Sequence, residues 1–187
     1  MNDVETVVKT IKEKMDKAVA HVKSELANVR TSRASSALVE RITVDYYGSP
    51  TPLKQLASFQ IPEARTLVIT PFDKNSISAI EKAIQASDIG ITPSNDGHVI
   101  RLNFPMLTEE RRKELVKLVK QLAEEGRVSI RNLRRQARHE LESLKKDGLI
   151  SDNELESVEK QMDKITHEKT TEIDQLFAQK ERELLDV

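Results

Sequence analysis

The sequence predicts an α+β fold, an elongated antiparallel three-helix bundle with an inserted β/α/β domain and a hinge between the two. Three observations carry this. All six prolines lie between Pro50 and Pro105, and five of the six aromatics lie between Tyr46 and Phe104. Outside that window apolar residues recur at steps of three and four, the mark of amphipathic helices. Charged residues make up 33% of the 187 positions and aromatics only 3%, which suits long solvated helices better than a large globular core. The composition therefore shifts twice along the chain. The expected domains are residues 1–30 plus 106–187 for the bundle and 31–105 for the insertion.

The first helix is expected from about Asp3 to Arg30, with Val8, Ile11, Met15, Val19, Val22, Leu26 and Val29 as its stripe. The second opens at Thr108, an N-cap followed by two acids that complement the helix dipole, and stops near Gly148. Its stripe is Leu115, Leu118, Leu122, Ile130, Leu133, Ala137, Leu141 and Leu144. The third opens on a capping box, Ser151 to Glu154, and continues through Leu155, Val158, Met162, Ile165, Ile173, Leu176 and Leu184. Such helices need partners to persist, and the short turn at Gly148 makes the last two antiparallel neighbours. Gly126 costs ~1 kcal/mol relative to Ala inside a helix. It falls on the core side, so close helix packing is expected there, with a local bend as the alternative.

In the insertion, Glu40–Tyr47 alternates as a strand and ends in a turn at Gly48, Ser49 and Pro50. Thr66–Thr70 is a short β-rich run. A helix starting at Asp73 or Asn75 carries Ile77, Ile80 and Ile84 and closes at Gly90. Ile91–Thr92 and His98–Leu102, either side of an Asn95-Asp96-Gly97 turn, are the closing strands. Two crossings join the parts: Arg30, Thr31, Ser32, Arg33, Ala34 and Ser35, then Phe104, Pro105 and Met106. With no packing evident at either, they are the expected hinge.

Several functions are excluded by composition. There is no Cys, hence no disulfide, thiol nucleophile or thiolate metal site. The four histidines, His21, His98, His139 and His167, lack metal-ligand spacing, and no phosphate-binding loop or nucleophile elbow occurs. The first residues lack the apolar core of a signal peptide and no apolar run approaches membrane-span length, so a cytoplasmic protein is expected.

Charge is the informative feature. Net charge is −1, yet residues 108–148 hold 12 bases and 8 acids, and residues 149–187 hold 5 and 11. Mutual attraction between these two helices explains part of that asymmetry. It does not explain the acid-free stretch Gly126–His139, which contains Arg127, Arg131, Arg134, Arg135 and Arg138. On a helical wheel all five fall in an arc of roughly 100°, about 120° from the core direction. Guanidiniums grip phosphate bidentately, and all five positions are Arg rather than Lys. With no aromatics in the arc, the expected ligand is folded RNA read through phosphate and shape. The plainer reading is a solvated face, or pairing with Asp163, Glu168 or Glu172 of the third helix. Arg134 is the member best placed for an internal salt bridge, and Arg131, Arg135 and Arg138 for an external ligand. Arg30, Arg33, Arg111 and Arg112 form a second basic group near the crossings and extend the candidate RNA surface.

The chain resembles the bacterial ribosome recycling factor family over essentially its whole length. The resemblance rests on Val29-Arg30-Thr31-Ser32-Arg33-Ala34-Ser35, and on Tyr46-Tyr47-Gly48 followed by Thr51-Pro52-Leu53 and Gln55-Leu56-Ala57. It rests also on Glu81-Lys82-Ala83-Ile84, Ser87-Asp88-Ile89-Gly90, Leu107-Thr108-Glu109-Glu110-Arg111-Arg112 and Val128-Ser129-Ile130-Arg131-Asn132-Leu133-Arg134-Arg135. The order and spacing of these motifs make it specific. The family often has Gly at the position of Ser32. The resemblance implies an L-shaped molecule of tRNA-like outline. It implies binding to the post-termination ribosome, with the bundle against large-subunit ribosomal RNA. It implies action with elongation factor G and GTP to split the subunits, without bond chemistry by the chain itself. A monomer is expected, with no cofactor, no metal and no membrane partner. The competing readings are a helical scaffold for an acidic protein and a general RNA chaperone.

Overall fold

A computed structural model describes residues 3–186. Five helices and six strands appear in it: α1 (Val4–Ala27), α2 (Ala37–Glu40), β1 (Thr43–Tyr46), β2 (Ser49–Pro52), β3 (Ala57–Glu63), β4 (Thr66–Pro71), α3 (Ile77–Ala86), β5 (Pro93–Asn95), β6 (Ile100–Asn103), α4 (Glu109–Lys146) and α5 (Asp152–Leu185). The chain divides into two compact units, Met1–Leu26 with Val116–Arg182 and Ala27–Leu115 with Glu183–Val187. These boundaries fall to either side of residues 30 and 106. The final residues join the second unit, where Arg33 pairs with Asp186 at 2.5 Å.

The helical unit contains most of α1, α4 and α5. The start of α4 is capped as its sequence requires, with Arg111 N donating to Thr108 Oγ1 at 3.1 Å. Its end is a left-handed stop at Gly148 (φ 76°), where Leu149 N reaches Leu144 O. At the start of α5, Glu154 N donates to Ser151 Oγ, while the Glu154 carboxylate accepts from that same hydroxyl rather than from the backbone. The α4–α5 ion pairs run in antiparallel order: Lys145–Asp152, Arg138–Glu159, Arg134–Asp163 and Arg127–Asp174. Lys169 of α5 pairs with Asp16 of α1 at 2.5 Å. Gly126 explains the closeness of the three helices. A Cβ there would overlap Val22 Cγ2 of α1 and stand 3.3 Å from Ile173 Cδ1 of α5. Close packing, not a bend, accounts for this glycine.

Two stripes shift from expectation. In α1 Val7 is the buried residue and Val8 lies on the flank. In α4 Leu118 is 41% exposed, and the core positions are Val119 and Ala123. Leu and Val both fit an amphipathic pattern. The one-residue choice is made by partner helices, not by local spacing.

The second unit is a small α+β module. Its four-stranded antiparallel sheet runs β3-β4-β6-β5, beside a β1–β2 hairpin. Helix α3 packs across β1 and β5. Ile77, Ile80 and Ile84 face a core that also holds Leu53, Leu67, Ile69, Ile100, Leu102 and Phe104. Asp73 caps the turn before α3, accepting from Asn75 N at 2.9 Å. The expected long first strand is shorter, because Ala37–Glu40 forms one helical turn and β1 begins only at Thr43. Tyr47 (φ 49°) and Gly48 (φ 82°) make a two-residue hairpin turn. The stretch from Ser49, read as turn, is therefore strand β2. Strand β3 is not visible in the sequence pattern. It is an edge strand with a bulge between Gln60 and Glu63, which accommodates Pro62 and breaks the alternation. Helix α3 ends at Ala86, four residues before Gly90, and the closing strands lie two residues later than expected, at Pro93–Asn95 and Ile100–Asn103.

The crossings are packed, contrary to the sequence reading. Phe104 is 1% exposed and Thr31 is buried. Ala34 N donates to Ala64 O, and Phe104 N to Arg65 O, each at 2.8 Å. Leu107 N donates to Ser32 Oγ at 3.1 Å, a bond a glycine could not accept, and Arg30 Nη2 reaches Pro105 O at 2.9 Å. No helix among the described residues is long and apolar enough to cross a membrane.

Candidate nucleic-acid interface

The five arginines of α4 lie on one face, and α4 is long enough to display them because three-helix packing supports it along its length. The acid-free stretch nevertheless has acids around it. Arg127 Nε donates to Asp174 Oδ1 (2.7 Å) and Arg127 Nη1 to Glu124 Oε2 (3.3 Å). Arg131 Nη2 donates to Glu124 Oε1 at 2.6 Å. Arg134 Nε donates to Asp163 Oδ1 at 2.6 Å, the internal pair expected of Arg134. Arg138 Nε meets Glu142 Oε1 at 3.2 Å and Glu159 Oε1 at 3.8 Å. Only Arg135 has no ion-pair partner among the described residues. Of the third-helix acids named as partners, Asp163 serves, whereas Glu172 pairs with Lys169.

Burial ranks the arc differently from the wheel. The Arg127 side chain is 23% exposed and Arg138 is 62% exposed, with Arg131 and Arg134 between them. Arg127, held by two acids, is the most internal member. Arg131 and Arg138, expected to face an external ligand, also carry ion pairs. These exposed pairs contribute little to stability because water screens them and long side chains lose freedom. They fix the guanidiniums in place without sequestering them. The hydrogen bond from Arg131, and then that from Arg127, holds the Glu124 carboxyl below the usual carboxylate range.

A shallow groove runs between α4 and α5, lined by Arg127, Arg131 and Arg134 on one side and by Asp163, Thr166, His167, Thr170 and Asp174 on the other. Of the α5 residues, Thr166, Thr170 and Asp174 were not singled out in the sequence. Antiparallel register past Gly148 is the signal that could have placed them. Glu124 was missed as well, although it stands three and seven residues before the two arginines it holds.

The second basic group lies in the sheet unit. Arg30 and Arg111 are neighbours: burial, and then the Arg111 charge, lower the Arg30 pKa. Arg30 Nε is buried without a hydrogen-bond partner among the described residues. Arg111 pairs with Glu114 at 2.8 Å and Arg33 with Asp186, while Arg112 is half-buried with no ion pair among the described residues. That unit also exposes Tyr47 (74%) and Phe72 (72%). The Tyr46 and Tyr47 hydroxyls both donate to Asp73 Oδ2, at 3.1 and 3.0 Å. No group of three or more His, Cys, Asp or Glu residues able to hold a metal occurs among the described residues.

A family model described as ribosome recycling factor matches residues 22–185. A protein named ribosome-recycling factor from Enterococcus faecalis is 57% identical over 181 residues, spanning 97% of this chain and 98% of that protein. The chain belongs to the ribosome recycling factor family. The Cutibacterium acnes ribosome-recycling factor is 49% identical with the same coverage of both chains. A solution structure of the ribosome recycling factor aligns over 100% of both chains at 43% identity, with a TM-score of 0.82. A second structure describes the T. thermophilus ribosome recycling factor and the E. coli elongation factor G bound to the E. coli post-termination complex. It covers 98% of this chain and 100% of its own at 43% identity, with a TM-score of 0.73. The α+β architecture of a helix bundle and a β/α/β module is thus that of ribosome recycling factors.

Proposed function

We propose that this chain recycles ribosomes. It binds the post-termination ribosome and, with elongation factor G and GTP, promotes separation of the subunits and release of mRNA and tRNA. The observation that carries this is full-length similarity to the T. thermophilus factor described with elongation factor G on that complex. The chain acts as a cytoplasmic monomer and performs no bond chemistry of its own.

In this reading the bundle, residues 1–30 with 106–187, is the part that grips large-subunit ribosomal RNA. Arg127, Arg131, Arg134, Arg135 and Arg138 supply its phosphate contacts, and Arg30, Arg33, Arg111 and Arg112 extend them. The insertion, residues 31–105, receives the push from elongation factor G. Movement is absorbed where the chain is not helical, at residues 30–35 and 104–106. Helix α4 runs unbroken from Glu109 to Lys146, and a helix without proline or a bulge resists local swivelling. The bonds Leu107–Ser32 and Arg30–Pro105 tie the two crossings to each other within one unit.

The test is subunit splitting of post-termination ribosomes, measured by light scattering. Splitting is expected only when chain, elongation factor G and GTP are all present. Splitting that ignores the chain overturns the proposal. Equal affinity for any RNA duplex would favour a general RNA chaperone, and preference for acidic proteins a scaffold.

A further inference from the structure

Five acids, Glu124, Glu142, Glu159, Asp163 and Asp174, stand against four of the five arc arginines. Two come from α4 and three from α5, so the compensation is built by the fold and not by one helix. Such a face does not show five free cations to a passing polyanion. Beyond about a Debye length, ~8 Å in physiological salt, adjacent opposite charges largely cancel. Unrelated RNA is therefore drawn only weakly.

Glu124 differs from the other four acids. It alone holds two arc arginines, and it is the only ion-pair partner of Arg131 among the described residues. Helical side chains lean toward the N-terminus, so Arg127 and Arg131 fall back over it from one and two turns away. The Arg131–Glu124 pair is about half exposed, 48% and 56%, and both arginines line the groove toward α5. Ion pairs in such a setting exchange readily. A phosphate entering the groove meets the same donors that Glu124 occupies.

We propose that Glu124 is a resident counter-ion of the RNA face. It occupies the Arg131 and Arg127 guanidiniums until a ribosomal RNA phosphate replaces it, and so lowers RNA affinity by the cost of its displacement. A phosphate held in position by many other contacts displaces the carboxylate. A phosphate on a randomly docked duplex does not. This counter-ion role rests on the RNA-face reading above.

The experiment compares Glu124→Gln with Glu125→Gln, an equal charge change one residue away, at a side chain bonded to Gln121. Binding to post-termination ribosomes and to a short RNA duplex of unrelated sequence is measured across a salt series. Glu124→Gln is expected to bind the duplex ~2- to 5-fold tighter, the range set by exposed ion pairs. Its salt slope should steepen by up to ~0.9, since one more phosphate is neutralised without releasing a carboxylate. Ribosome affinity should rise by at least as much, since the cost of displacing the carboxylate is removed there. Glu125→Gln should do neither, and the gain should shrink in an Arg131→Ala background. Equal effects of the two variants, or a gain undiminished without Arg131, would overturn the role of Glu124. Ribosome binding indifferent to Arg131→Ala would instead remove the RNA-face reading itself.

Discussion

Where the three helices of the helical unit meet, the residue is Gly126, with Ala123 and Ala137 fully buried on the same helix. At the centre of the sheet unit stand Phe104, Leu67, Ile69 and Ile80, all 0–1% exposed. One unit also buries large groups such as Ile11, Met15, Ile130 and Leu141, but it brings backbones close at Gly126 and carries ion pairs along its surface. The other fills the space between sheet and helix with large apolar groups. The contrast suits the two jobs proposed for these units, a long charged face for a polyanion and a module with its own core to take a push. It also gives the bundle a lesion of its own, addition of volume at Gly126.

The largest effect is expected from Phe104→Ala. Emptying a fully buried aromatic site should cost ~3–5 kcal/mol. Chemical denaturation with hydrogen exchange should locate the loss in the β-strands, and equal loss of protection in α4 beyond residue 116 would break the distinction between units.

Gly126→Ala comes next. Helix propensity favours Ala, but the new Cβ overlaps Val22, so a net loss of ~1–3 kcal/mol is expected from overpacking. Adding Val22→Ala should recover part of it. A single variant more stable than the parent would mean that the helices approach less closely than described.

The smallest effect is expected at Asp73, and only in acid. The Asn75 backbone N–H, then the Tyr47 and Tyr46 hydroxyls, hold its carboxyl below the ordinary carboxylate range. Its stabilising contribution is therefore present above the unfolded-state pKa and is lost as pH falls through the lower folded-state value. Asp73→Asn should be less stable than the parent at neutral pH, with the gap closing in strong acid. A gap constant down the whole pH series would contradict this, as urea titrations at each pH would reveal.

Periodicity made the three long helices legible, and turn chemistry placed Thr108, Ser151 and Gly148 at their ends. Such signals are local. What escaped was set by partners. Val119 rather than Leu118 faces inward because neighbouring helices choose between adjacent apolar residues. Strand β3 was hidden by Pro62 and its bulge. The crossings read as slack because hydrogen bonds such as Leu107–Ser32 join residues 75 positions apart. The arginine arc was fully visible, but of its counter-ions only Asp163 was. Asp174 becomes a partner of Arg127 only once α5 folds back along α4.

The central claim is that the α4 arginines meet ribosomal RNA phosphate, and Arg131 tests it most directly. Affinity of Arg131→Ala for post-termination ribosomes should be measured across a salt series, with unfolding followed in parallel. The account predicts weaker binding, a salt slope shallower by about one unit, and an unchanged fold. Unchanged affinity and slope together with a less stable chain would contradict it, and would leave Arg131 as an internal partner of Glu124.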